Sequence, residues 1–112
     1  MEKARADIIG RNYIHTNYNQ GICIVEGSSC KITENTISKN LKANIAFGGK
    51  GSSATKIERN EISKSIAEGI FMVKVEAAAL VNENIICDNL DGITLLDSYG
   101  KITNNLIEGN QR

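Results

Sequence analysis

Apolar and polar positions recur along this chain with a period of just over twenty residues. The blocks Ile9-Gly10-Arg11-Asn12-Tyr13-Ile14, Ile32-Thr33-Glu34-Asn35-Thr36-Ile37, Ile57-Glu58-Arg59-Asn60-Glu61-Ile62, Val81-Asn82-Glu83-Asn84-Ile85-Ile86 and Ile102-Thr103-Asn104-Asn105-Leu106-Ile107 share one pattern: apolar, x, x, Asn, x, apolar. Their Asn residues are spaced by 23, 25, 24 and 21 positions. Five residues after each stands a second polar file: Asn17, Asn40, Ser65, Asn89 and Asn110. A third element follows, Gly21-Ile22-Cys23-Ile24, Asn44-Ile45-Ala46-Phe47, Gly69-Ile70-Phe71-Met72 and Gly92-Ile93-Thr94-Leu95. It alternates with period two. Ile22, Ile45, Ile70 and Ile93, with Ile24, Phe47, Met72 and Leu95, are expected on one side, and Cys23, Ala46, Phe71 and Thr94 on the other.

No segment keeps a helical apolar stripe for more than about a turn. Residues 74–81, with Ala77-Ala78-Ala79, come nearest, but they fall inside a repeat and read as turn plus strand. Three short strands per repeat, with each repeat stacked on the next, describe an all-β parallel β-helix of about four to five coils, 21–25 residues per coil. One coil cannot bury its apolar face alone; stacking buries it against the coils above and below. Equivalent side chains then lie about 4.8 Å apart along the axis. Asn is expected at the tight corners because it tolerates left-handed backbone and bonds the backbone. Its side chains are also expected to bond one another along the axis. Leucine-rich repeats share the period and a recurring Asn, but want an apolar residue where this chain has Asn five times.

The spacing locates the variable part of the coil. From the first Asn to the residue before the third-strand Ile is 9, 9, 9 and 8 positions; from there to the next block is 11, 13, 12 and 10. Most variation falls in one turn, at 25–31, 48–56, 73–80 and 96–101. Variable turns on a rigid scaffold are where binding is expected first.

The unit apolar-x-x-Asn-x-Ile-x-x-Asn, followed by Gly-Ile-x-apolar, resembles the parallel β-helix repeats of carbohydrate-binding proteins and sugar hydrolases. It is most similar to the right-handed β-helix repeats of F-box proteins that carry such domains. The resemblance runs from about Ile8 to Asn110 and implies a single-stranded right-handed helix, the hand usual for parallel crossovers. It implies two roles of different class: a non-catalytic protein-interaction or substrate-recognition scaffold, or a fragment of a polysaccharide-binding lyase or hydrolase. A purely structural element is a third. The sequence holds no F-box segment, so a ligase role would not reside in it alone.

Composition agrees with the pattern. Ile occurs 17 times and Asn 13 times among 112 residues, and Pro and Trp are absent. Length argues for a single domain over 1–112, whole or as a piece of a longer chain. Thirteen basic and thirteen acidic residues cancel, which removes the electrostatic case for nucleic acid or an anionic membrane as partner. No apolar run approaches a membrane span, and the first seven residues do not read as a secretory signal. Cys23, Cys30 and Cys87, odd in number and without metal-type spacing, read as free thiols in a reducing, cytoplasmic setting.

Candidate chemistry is sparse. Pectate-active β-helix enzymes need stacked carboxylates with a basic partner, yet the outward file of the third strand holds Cys23, Ala46, Phe71 and Thr94. Glu26, Glu76 and Asp97 lie in the variable turns and read as solvated loop charges. His15, the lone histidine, has no partner for catalysis or metal binding. Gly48-Gly49-Lys50-Gly51-Ser52-Ser53 lacks the spacing of a phosphate loop. Neither a cofactor nor a metal is expected. The candidate binding residues are Phe71, Ala46, Thr94 and Cys23, with aromatic Phe71 positioned to stack on a sugar or anchor a peptide. A protein partner is expected first and a polysaccharide second. With little chain to cap the terminal coils, end-to-end self-association is expected as well.

Overall fold

Fourteen parallel strands make up a computed structural model that describes residues 8–24, 31–48, 55–75, 79–98 and 100–111. Each of the first four coils contributes one strand to each of three sheets, and the fifth contributes described strands to two of them. The first sheet contains β1 (Ile8–Gly10), β4 (Lys31–Thr33), β7 (Lys56–Glu58), β10 (Leu80–Asn82) and β13 (Lys101–Thr103). The second contains β2 (Tyr13–His15), β5 (Thr36–Ser38), β8 (Glu61–Ser63), β11 (Ile85–Cys87) and β14 (Leu106–Glu108). The third contains β3 (Ile22–Ile24), β6 (Ile45–Gly48), β9 (Glu68–Val73) and β12 (Asp91–Leu96). No described residue is helical. The result is a parallel β-solenoid, 37 × 24 × 21 Å. Of residues 74–81, expected as turn plus strand, the strand is β10, whereas residues 25–30, 49–54, 76–78 and 99 of the variable turns lie outside the described residues.

The register places like over like. Ile9, Ile32, Ile57, Val81 and Ile102 pair in one file, and Ile14, Ile37, Ile62, Ile86 and Ile107 in another. Ile22, Ile45, Ile70 and Ile93 make a third, with Ile24, Phe47, Met72 and Leu95 beside them. In the middle coils these side chains lose all contact with water: Ile32, Ile37, Ile45, Ile57, Ile62, Ile70 and Met72 are fully buried. Burial of each such side chain contributes about 1.5–3 kcal/mol, which the isolated coil could not collect. Leu95 is 40 % exposed because no described strand of the third sheet stacks on β12.

The first Asn file forms without a break, and the second forms on either side of Ser65, as Asn17 to Asn40 and Asn89 to Asn110. The Oδ1 of Asn35 accepts from the backbone N–H and the Nδ2 of Asn12, at 2.9 and 3.1 Å. The same two bonds join Asn35 to Asn60, Asn60 to Asn84, and Asn84 to Asn105. From Asn35 onward each amide of the first file also donates back to a carbonyl of the preceding coil, as Asn60 does to Ile32 O and Asn84 to Ile57 O. These bonds satisfy polar groups that the corners would otherwise leave buried and unpaired.

The expected left-handed Asn is corrected by the backbone. The left-handed residue is the one before each member of the two polar files: Arg11, Glu34, Arg59, Glu83 and Asn104 in the first file, and Thr16, Lys39, Lys64, Asp88 and Gly109 in the second. The geometry explains the shift. The Asn N–H must point along the axis at the next Oδ1, so the reversal of direction falls one residue earlier. There the N–H still completes the strand ladder, as Arg59 N donates to Asn82 O. Left-handed backbone costs a non-glycine residue roughly 1–2 kcal/mol. It is least tolerable for β-branched Thr16, at φ 59° and exposed. Thr16→Gly is therefore expected to raise stability by about 1 kcal/mol, a melting shift of about 4–8 °C in a thermal scan. An unchanged or lower melting temperature would show that this corner is not strained.

Candidate functional site

The outward face of the third sheet carries the four candidate residues. Cys23 pairs with Ala46, Ala46 with Phe71, and Phe71 with Thr94, so the four form one unbroken file. Cys23 is exposed, Phe71 and Thr94 are half-buried, and Ala46 is 8 % exposed. Phe71 thus stands, half-buried, between two smaller neighbours. Two residues further along, Gly48, Val73 and Leu96 form a second outward file, in which Leu96 is 54 % exposed. A Cβ on Gly48 would collide with Val73 O, so glycine is what allows the two backbones to approach here. Phe71, Val73 and Leu96 together give this face an apolar strip.

The corner between the first and second sheets is charged instead. Its left-handed file reads Arg11, Glu34, Arg59, Glu83, Asn104, with alternating sign. Arg11 and Glu34 approach to 3.5 Å, as do Arg59 and Glu83. These exposed pairs contribute little stability. Glu34 and Glu83 border a recess of about 350 Å³ with Arg59, Asn60, Glu61 and Ile85. The arginines interleave the carboxylates, so no two of this file are adjacent to share a proton or a cation. Among the described residues no three His, Cys, Asp or Glu side chains come together as a metal site.

The remaining candidates are dispersed. The His15 ring stacks on Tyr13 with centroids 4.3 Å apart, and its Nδ1 lies 2.8 Å from the Thr16 hydroxyl. Asp97 is exposed, and Glu26, Glu76, Cys30 and residues 49–53 lie outside the described residues. Cys23 and Cys87 are free thiols. Burial pushes the Cys87 thiol above its usual range, and Asp88, Glu61 and Glu108 push in the same direction.

Two features escape a reading of the sequence in isolated columns. The first is an apolar ridge at the corner between the second and third sheets. Tyr18, Leu41, Ile66 and Leu90 each follow a residue of the second polar file. Tyr18 is 86 % exposed, Ile66 66 % and Leu41 46 %, while Leu90 is half-buried. The signal was available: four large apolar residues in sequence register, each next to Asn or Ser. The second is a substitution in the second polar file. Ser65 has no amide, and Asn44, which stands where other coils have glycine, supplies one. Its Oδ1 accepts from Asn40 Nδ2 at 2.7 Å and its Nδ2 donates to Asn89 Oδ1 at 3.1 Å.

Among known families, residues 4–112 match the model of one described as a right handed beta helix region. No curated protein and no solved structure matches the chain.

Proposed function

The chain belongs to the right-handed β-helix family, and from that premise we propose that it is a non-catalytic scaffold presenting the outer face of its third sheet to a protein partner. The observation that carries this reading is the apolar strip of Phe71, Val73 and Leu96 on a regular sheet face. Aromatic and aliphatic side chains on a rigid support give contact area at small entropic cost. The absence of carboxylates from the Cys23, Ala46, Phe71, Thr94 file supports binding over hydrolysis or lyase chemistry. Recognition of a ligase substrate, the role implied by the likeness to F-box proteins, is one form this function would take.

A second reading has one observation in its favour. Phe71, flanked by Ala46 and Thr94, offers a ring face on which a sugar can stack. The test compares the intact chain with Phe71→Ala and Leu96→Ser on a glycan array and in cross-linking to proteins of a cell extract. Protein capture that both substitutions reduce tenfold or more, with the array silent, supports the scaffold. Glycan binding abolished by Phe71→Ala would replace it with polysaccharide recognition.

A further inference from the structure

We infer that the ridge of Tyr18, Leu41, Ile66 and Leu90 is a self-association surface on which two copies of this chain pair antiparallel. This goes beyond the proposed function, which uses a different face. The ridge is one residue wide and about 14 Å long over three coil steps. Backbone bonds hold its residues in line: Leu41 N donates to Asn17 O, Leu90 N to Ser65 O, and Gln111 N to Asn89 O. Beside it, Lys64, Ser65, Ile66, Asp88, Asn89 and Leu90 border a recess of about 310 Å³ that can admit an aliphatic side chain.

Charge complementarity selects the occupant and its direction. The file beside the ridge reads Thr16, Lys39, Lys64, Asp88, Gly109, and Lys39, Lys64 and Asp88 are all exposed. On the other side of Leu41 stands exposed Lys42. A two-fold axis parallel to the solenoid would set Lys39 of one copy against Lys42 of the other, a like-charge contact. A two-fold axis perpendicular to the solenoid, passing at the third coil, does the opposite. It sets Ile66 on Ile66, Leu41 on Leu90, and Lys39 of each copy opposite Asp88 of the other. Lys64 then faces its own copy across the axis and opposes association.

The contact is smaller than the roughly 800 Å² per partner of a stable complex, so a weak dimer is expected, half-formed on the order of 100 µM. Sedimentation equilibrium of the full chain from 10 µM to 1 mM tests it. Ile66→Lys, at an exposed site, is expected to abolish dimerisation while leaving the strand signal in circular dichroism intact. Lys39→Gln is expected to weaken dimerisation about threefold to tenfold, and Lys64→Gln to tighten it about twofold to fivefold. Both substitutions remove one positive charge, so net charge cannot produce opposite signs. Lys39→Glu and Asp88→Lys proteins are each expected to be monomeric alone and to dimerise when mixed. A monomer at 1 mM, the same sign for both lysine substitutions, or no effect of Ile66→Lys would overturn the inference. So would open-ended growth beyond a dimer, which is the signature of end-to-end stacking.

Discussion

Replacing Asn60 with alanine is expected to cost about 3–5 kcal/mol, a large fraction of the stability of an ordinary domain. Asn60 sits at the middle of the first Asn file and is 3 % exposed. Its Oδ1 is the acceptor for both the N–H and the Nδ2 of Asn35. Its Nδ2 is the donor to Asn84 Oδ1, Ile32 O and Glu58 O. Alanine removes every one of these partners at once, in a place water does not reach. Each buried group left unpaired costs about 1–3 kcal/mol, whereas a bond formed in compensation would return about 1. Asn60→Asp keeps the shape and makes the same point differently. It turns a donor into a charged acceptor facing the carbonyl of Ile32, and is expected to destabilise at least as much. Asn12→Ala at the start of the same file is the control. Among the bonds of the described residues the Asn12 side chain only donates, to Asn35 Oδ1 and Gly10 O, and it is exposed. A loss below about 1 kcal/mol is expected there. Urea unfolding reads these differences as midpoint shifts with an unchanged slope. Equal losses at Asn12 and Asn60 would mean that the file does not act through burial.

The files themselves were legible because a solenoid writes each contact several times. Ile32, Ile57 and Val81 announce one another by their spacing, and so do Asn35, Asn60 and Asn84. No single coil carries that signal. What was less legible has a physical cause in each case. Seven of the ten left-handed corners of the two polar files fall on Arg, Glu, Lys or Thr, residues without a turn signature, and only Asp88, Asn104 and Gly109 carry one, because the stacked neighbours over-determine the backbone. The direction of each bond in the Asn file depends on where the N–H points, which composition does not encode. The ridge is hidden for the opposite reason. Tyr18, Leu41 and Ile66 read as scattered surface apolar residues until the coils bring them into one line. The outward position of Phe71, by contrast, follows from the period-two alternation of Gly69-Ile70-Phe71-Met72, and the pairing of Phe71 with Ala46 and Thr94 agrees with it.

The exchange between Asn44 and Ser65 gives the second large effect. At Gly21, Gly69 and Gly92 an added Cβ would lie 2.7–3.1 Å from the Nδ2 of the Asn in the next coil. Glycine and Asn are therefore coupled: the amide of one coil fills the space that a side chain on the other would need. In the pair formed by Asn44 and Ser65 the roles reverse, since the small hydroxyl leaves room for the amide of Asn44. Ser65 bonds the backbone instead, donating across to Lys42 O of the preceding coil and accepting from Ala67 N two residues on. Asn44→Gly alone is expected to cost about 3 kcal/mol, because Asn40 Nδ2 loses its acceptor, while Asn89 Oδ1 and Ser63 O each lose a donor. Ser65→Asn alone drives a second amide into occupied volume and is expected to cost about 1–3 kcal/mol. Together the two substitutions recreate the glycine-and-amide arrangement of the other coils. The double variant is expected within about 1 kcal/mol of the original, giving a coupling energy of at least about 3 kcal/mol in a double-mutant cycle. Independent, additive losses would instead mean that Asn44 merely fills space and does not carry the second file past Ser65.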